Sequence, residues 1–225
     1  MIQIPVYNTD GSEAGSVEID EAKLGGAVRP ALLKQAYVRV HANNRSINQV
    51  TKSRSMVRGS NKKLYKQKGT GNARRGDKKA NILRGGGHAK PKQAHSWDQQ
   101  MPARQRRLAN RNALLAKAVD GEIKLVAGLS FDKPSTRQFQ GLMETLGLNR
   151  TVLFAASDVA SHAARSSRNV ADVTLTQIDR LNVFEVLNHR FLLAEQADFE
   201  AYLEKFVNHA PESTRQTVAV TAGAA

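Results

Sequence analysis

The sequence predicts an α/β domain around a mainly parallel sheet, interrupted by one long basic insert. Two observations carry this. From residue 123 to 207 short apolar runs alternate with helical patterns, the arrangement of strands joined by crossover helices. From residue 43 to 100 no hydrophobic period is visible, and Ser, Asn, Gly, Lys and Arg dominate. The expected organisation is a globular body from residues 1–42 and 101–207, an extended basic loop at 43–100, and a disordered tail at 208–225.

Taken in order, Ile2, Ile4 and Val6 alternate with Gln3 and Pro5 and predict a short strand. Asn8 to Gly11 is a turn, and Ser16–Asp20 returns as a second strand. Pro30 opens a helix with Leu32, Leu33, Ala36, Tyr37 and Val40 at helical spacing. That pattern fades at Ala42–Asn44. A structureless stretch as long as the one that follows signals function or disorder. Order resumes near Pro102, where Leu108, Leu114, Leu115, Ala118 and Val119 share a helix face up to Asp120-Gly121.

Ile123–Ala127 predicts a strand, and Pro134-Ser135-Thr136 a helix start. The helix carries Phe139, Leu142, Met143 and Leu146, and Gly147 stops it. Thr151–Ala156 is almost wholly apolar, as expected of a parallel strand buried on both faces. Asp158 or Ser161 caps a short helix to Ser167, and Val170–Leu175 is a further strand. Asn182–Leu187 is a helical turn, Phe191–Leu193 a short strand, and Ala197–Val207 a last helix bearing Phe199, Leu203 and Phe206.

Charge separates the two parts. The chain has 34 Lys+Arg and 20 Asp+Glu, a formal +14. Residues 43–111 hold nineteen basic groups and two acids, Asp77 and Asp98, a balance of +17. The remainder holds 15 basic groups and 18 acids, a balance of −3. A basic block joined to a near-neutral body is a dedicated electrostatic surface. The densest stretch is KKLYKQKGTGNARRG at 62–76. It offers too little apolar area to fold on itself, and its like charges repel. Its glycines allow close backbone approach to a phosphate. Cations, amide donors and the stackable ring of Tyr65 together suit structured RNA.

Arg74, Arg75, Arg84, Arg106 and Arg107 are candidates for forked phosphate contacts. Tyr65 and Trp97 are candidates for base stacking, and Trp97 serves equally well as a rim residue packed on the body. Gly85, Gly86 and Gly87 mark a tight reversal or a close approach to RNA. Arg104, Arg106, Arg107 and Arg111 lie in the first turns of the helix after Pro102, where cations oppose the macrodipole, so an external anion explains them. The remaining candidate RNA contacts are Arg45, Lys52, Arg54, Arg58, Lys62, Lys63, Lys66 and Lys68. To these are added Lys78, Lys79, His88, Lys90 and Lys92.

Other chemistries find little support. There is no cysteine, which excludes disulfides and thiolate metal sites. The start, MIQIPVYNTD, has no basic region followed by an apolar run, and no apolar stretch approaches the ~20 residues that span a bilayer. A cytoplasmic protein without membrane contact is expected. GTG at 69–71 is not a dinucleotide fingerprint, since the third glycine position falls on Arg74 and no strand precedes it. No phosphate-loop motif, HExxH or nucleophile elbow occurs, and no catalytic, cofactor or metal site is expected. The competing reading is an RNA-modifying enzyme whose basic arm holds substrate. It needs a glycine-rich turn after a body strand, and the 151–156 strand runs instead into Ala-Ser-Asp-Val.

Three segments in order, KKLYKQKGTGNARRG at 62–76, LRGGGHAKPK at 83–92 and RQRRLANRNALLAKA at 104–118, closely resemble the bacterial large-subunit ribosomal protein four family. The resemblance reaches to about residue 207 and is strongest over 45–118. It implies a three-layer body on the solvent side of the ribosome and an extended loop threaded into large-subunit ribosomal RNA. The loop tip, Tyr65, Lys66, Gln67, Lys68, Gly69, Thr70 and Gly71, would line the polypeptide exit tunnel beside the nascent chain and a neighbouring ribosomal protein. Early binding in assembly and autogenous repression are also implied. The family usually has Pro-Trp where this chain has Leu64-Tyr65, and Arg where it has Asn72.

Overall fold

A computed structural model describes residues 1–46 and 49–208, with side chains through Lys205. The tail expected after the last helix, and the side chain of Phe206, lie outside the described residues. The chain divides into two units, residues 1–40 with 100–225, and residues 41–99.

The first unit is built on one six-stranded sheet. Its strands are β1 (Ile2–Tyr7), β2 (Glu13–Ile19), β3 (Ile123–Val126), β4 (Val152–Ala156), β5 (Val173–Gln177) and β6 (Phe191–Glu195), in the spatial order β2-β1-β3-β6-β4-β5. The β1/β2 hairpin is antiparallel, and every other pairing is parallel. Parallel neighbours need long crossovers, and helices supply them. The helices are α1 (Pro30–Asn43), α2 (Ala103–Val119), α3 (Thr136–Thr145), α4 (His162–Ser167), α5 (Val183–Asn188) and α6 (Gln196–Asn208).

Alternate residues of each strand face opposite layers. Leu153 and Ala155 of β4, with Leu192 and Ala194 of β6, meet α1, α2, α5 and α6. Val152, Phe154 and Ala156, with Leu193, meet α3 and α4. The body is therefore three layers, helices on both faces of a mixed, mostly parallel sheet. Phe139 of α3 is fully buried, its ring centroid 5.4 Å from that of Phe154. Each such phenylalanine contributes about 1.5–3 kcal/mol by leaving water. All five residues of β4 are buried, as its apolar run predicts.

The helix starts follow their capping residues. The Ser135 hydroxyl accepts from the Gln138 amide, Ser161 from Ala164, and Asn182 from Glu185. Gly147 takes φ +68°, the left-handed conformation that ends α3. The largest boundary differences from the sequence reading are in β2 and β5, and β6 runs two residues past the expected Leu193, to Glu195. β2 starts three residues early, at Glu13, and β5 runs from 173 to 177 rather than from 170 to 175. The Val170 amide bonds back to the Ser167 carbonyl and Asp172 takes φ +62°, so α4 ends in turns that consume the expected strand start. A 3₁₀ turn at Ile178–Arg180, without a sequence signal, follows β5.

The described residues of the second unit follow a path held by backbone hydrogen bonds. The Thr51 amide donates to the Lys92 carbonyl, His88 to Lys52, Leu64 to Gly76, and Gly87 to Lys79. Ser53 and His88 form one isolated bridge, Lys63 and Asp77 another. Turns and single bridges have no side-chain period, so a pattern search passes over them.

Candidate nucleic-acid interface

The second unit holds fifteen Lys and Arg and two acids. Among its described residues only Arg54 meets a carboxylate: Asp77 Oδ2 lies 3.2 Å from Nε and 3.0 Å from Nη2. Asp77 is 5% exposed, while the Arg54 side chain remains 65% exposed. The other fourteen cations have no acid to neutralise them there.

The path brings the cations to solvent. Arg45, Lys52, Arg54, Arg58, Lys62, Lys63, Lys66, Lys68, Arg74, Arg75, Lys78, Arg84, Lys90 and Lys92 are exposed, as is His88; Lys79 is half-buried. The tip is a small hairpin. The Tyr65 hydroxyl donates to the Ala73 carbonyl and the Lys63 ammonium to the Gln67 side chain. Between these clasps Gly69 (φ +83°) and Gly71 (φ +67°) turn the chain through left-handed backbone, with Gln67, Lys68 and Thr70 exposed beside them. Tyr65 thus closes the hairpin with its hydroxyl.

The triple glycine works by close packing. A Cβ on Gly86 would stand 1.9 Å from the Ala80 carbonyl oxygen, and one on Gly87 2.4 Å from the Arg54 amide nitrogen. Gly85 has open space and takes φ +80°. Gly87 thereby lets the 84–88 backbone lie on Arg54, the residue that reaches Asp77.

Trp97 has partners inside the unit. The Arg45 guanidinium lies 4.0 Å from its ring centroid, and His95 meets it edge-on at 5.0 Å. This packing draws Arg45 onto a ring within the basic unit.

In the first unit Arg104, Arg106 and Arg107 are exposed at the start of α2, where Pro102 gives no side-chain cap and the first turn has no acid. Arg106 and Arg107 line a cavity of about 340 Å³ with Arg39 of α1 and Asn182 at the head of α5. Arg111 is half-buried. Burial first, and the neighbouring Arg107 charge second, push its guanidinium below its usual value.

Sequence reasoning missed several residues. Met56, Leu64 and Ile82 are apolar and 63%, 45% and 76% exposed within the basic unit. In a segment without a period their type gave no hint of facing solvent. Arg39 was passed over because it sits in a helical pattern. Asn112 is fully buried on α2, accepting from the Arg29 amide and donating to the Ala27 carbonyl at 2.6 Å each. It ties the approach to α1 onto α2. Among the described residues no group of three or more His, Asp or Glu is arranged to hold a metal, and no helix is long and apolar enough to cross a membrane.

Residues 17–205 match the pattern that defines the ribosomal protein L4/L1 family. Over 197 residues the chain is 35% identical to the large ribosomal subunit protein uL4 of Rhodopirellula baltica, covering 87% of this chain and 89% of that one. The uL4 protein of Dehalococcoides mccartyi is 36% identical over 197 residues, with 87% and 94% covered. That of Salinibacter ruber is 32% identical over 197 residues, with 87% and 92% covered.

Proposed function

Because this chain belongs to the ribosomal protein L4/L1 family, we propose that residues 41–99 bind large-subunit ribosomal RNA within the assembled subunit. The protein is a structural constituent of the large ribosomal subunit and not an enzyme, so the reading as an RNA-modifying enzyme falls away. The observation that carries the RNA reading is the charge of the basic unit: fifteen cations, one of them met by a carboxylate among the described residues. Phosphate oxygens neutralise the rest, and each neutralised phosphate adds about 0.7–0.9 to the salt slope of binding. Exposed Met56, Leu64 and Ile82 supply apolar contact for unstacked bases between the phosphate contacts. Exposed Arg104, Arg106 and Arg107 at the start of α2 are further candidate phosphate contacts on the body.

Within that reading the hairpin at 65–73 is the part that lines the polypeptide exit tunnel, next to the nascent chain and a neighbouring ribosomal protein. Its glycines and exposed polar side chains leave it slim and hydrophilic, as a tunnel wall requires. The body, with its near-neutral charge, anchors the arm. The same RNA-binding surface suits repression of its own message.

Filter binding of the purified protein to a transcript of the 5′ region of large-subunit ribosomal RNA, across a salt series, tests the proposal. Tight binding with a steep salt slope is expected, together with retention in large subunits washed in high salt. Binding that is weak, or no tighter than to an unrelated transcript, would overturn it. A photocrosslinker at Lys68 reaching a stalled nascent chain tests the tunnel assignment, and repression of a reporter carrying the protein's own leader tests the regulatory one.

A further inference from the structure

A groove of about 390 Å³ lies in the body between β2 and α6. Its floor is apolar, formed by Val17, Ile19, Leu24 and Leu203. Its rim carries Glu18, Asp20, Glu200 and Glu204 against one cation, Lys23. Residues 17–20 are consecutive, and successive side chains of a strand point to opposite faces. Val17 and Ile19 share the sheet face that α6 covers, so the groove runs along the sheet edge on the α6 side.

That edge is open. β2 is the outermost strand, and among the described residues it pairs only with β1. In an antiparallel pair alternate residues turn their N–H and C=O groups away from the partner. The groove thus offers backbone hydrogen bonds along one side and an apolar seat beneath.

The charge selects the occupant. No ion pair joins any of the four rim carboxylates to a cation among the described residues. The chain carries a formal +14, so four unneutralised carboxylates around one apolar floor stand out from their surroundings. They repel a phosphate backbone and attract cations.

We propose that this groove docks an extended Lys/Arg-rich segment of another large-subunit protein, which adds to the β2 edge as a strand. Its backbone pairs with β2, its cations meet Glu18, Asp20, Glu200 and Glu204, and an aliphatic side chain sits on Leu203. Strand addition to an exposed edge is a recurring mode of peptide recognition, with backbone bonds giving affinity and side-chain pockets giving specificity. The proposal rests on the reading of this chain as a subunit constituent.

The test is fluorescence anisotropy on the full chain, with a capped octapeptide alternating lysine and valine as probe. Its counterpart alternating glutamate and valine is the control. The lysine peptide should bind in a salt-sensitive way, the glutamate peptide should not, and the double reversal Glu200→Lys with Glu204→Lys should weaken binding about tenfold or more. Both positions are exposed on α6, so the variant should fold. No binding of the lysine peptide, equal binding by the reversal, or binding of the glutamate peptide would overturn the proposal.

A photoreactive benzoylphenylalanine in place of Glu204, in assembled large subunits, gives the second readout. An adduct to a Lys/Arg-rich protein segment supports the groove, and an adduct to RNA or none sinks it. If the wild-type chain failed to enter large subunits, the subunit reading itself would fall. Normal incorporation with no groove adduct would remove the groove alone.

Discussion

Arg54 closes on Asp77 through two nitrogens, 3.2 and 3.0 Å from a single carboxylate oxygen, across 23 residues of chain. It is the one place in the basic unit where an acid fixes a cation among the described residues. The pair joins the strand-like step at Ser53–His88 to the bridge at Lys63–Asp77. It therefore holds the folded-back path.

Replacing that acid should loosen the unit and spare the body. Asp77→Asn removes the charge but keeps the shape. With Asp77 buried and Arg54 largely exposed, the cost should fall between those of surface and buried pairs, about 1–2 kcal/mol. Hydrogen exchange should show the Leu64 and His88 amides opening roughly tenfold faster, with amides of β4 and β6 unchanged. Unchanged exchange at Leu64 and His88 would assign the ion pair no role in the path.

The glycines of the triple run should not be equivalent. Gly87→Ala forces a Cβ to within 2.4 Å of the Arg54 amide nitrogen, so backbone must move, at a cost of about 1–3 kcal/mol. Gly85→Ala meets open space and bears only the strain of φ +80°, about 1 kcal/mol. RNA affinity measured in parallel should fall further for the Gly87 variant. The reverse order would show that the close approach to Arg54 is not what the sequence protects.

Lys68 should matter to RNA and not to folding. It is exposed on the tip hairpin beside Gly69 and makes no ion pair among the described residues. Lys68→Glu should leave the melting temperature of the free protein within the equivalent of ~0.5 kcal/mol. It should weaken RNA binding, and Lys68→Ala should reduce the salt slope by about 0.7–0.9 if the ammonium meets a phosphate. A stability loss as large as the binding loss would overturn this.

The body carries a pH-dependent weakness at Glu195. Burial first, and the Asp198 charge second, raise its carboxyl above the usual value, with a Leu129 backbone hydrogen bond opposing them. A carboxyl raised in the folded state favours its protonated form there. Below the unfolded value both states are protonated and nothing is lost. The penalty appears as pH rises through the unfolded value and is complete above the folded one. Glu195→Gln should therefore raise the melting temperature at about pH 7 and leave it unchanged at about pH 3.5. Equal effects at both pH values would mean that packing, not charge, is responsible.

Much of the body was legible because its signals are local. The all-apolar run 152–156 can only be a strand covered on both faces, and Ser135, Ser161 and Asn182 announce the helices they cap. The edge strand β5 was placed two to three residues off because it is only half-buried, so its alternation is weak, and turns at Ser167–Asp172 use up its expected start. The cations of the interface were legible by type. Their one acid partner was not, since Arg54 and Asp77 lie 23 residues apart with no period to link them.

By itself the sequence determined the α/β alternation of the body, the separation of charge and the identity of the cationic segment, because period, capping chemistry and net charge are additive properties of neighbouring residues. Tertiary structure alone decided the strand order β2-β1-β3-β6-β4-β5, the closure of Tyr65 on Ala73, the fit of Gly87 against Arg54 and the acidic groove beside β2. Those depend on which distant segments share space. Loop closure and packing choose among arrangements that the local pattern leaves equal in energy.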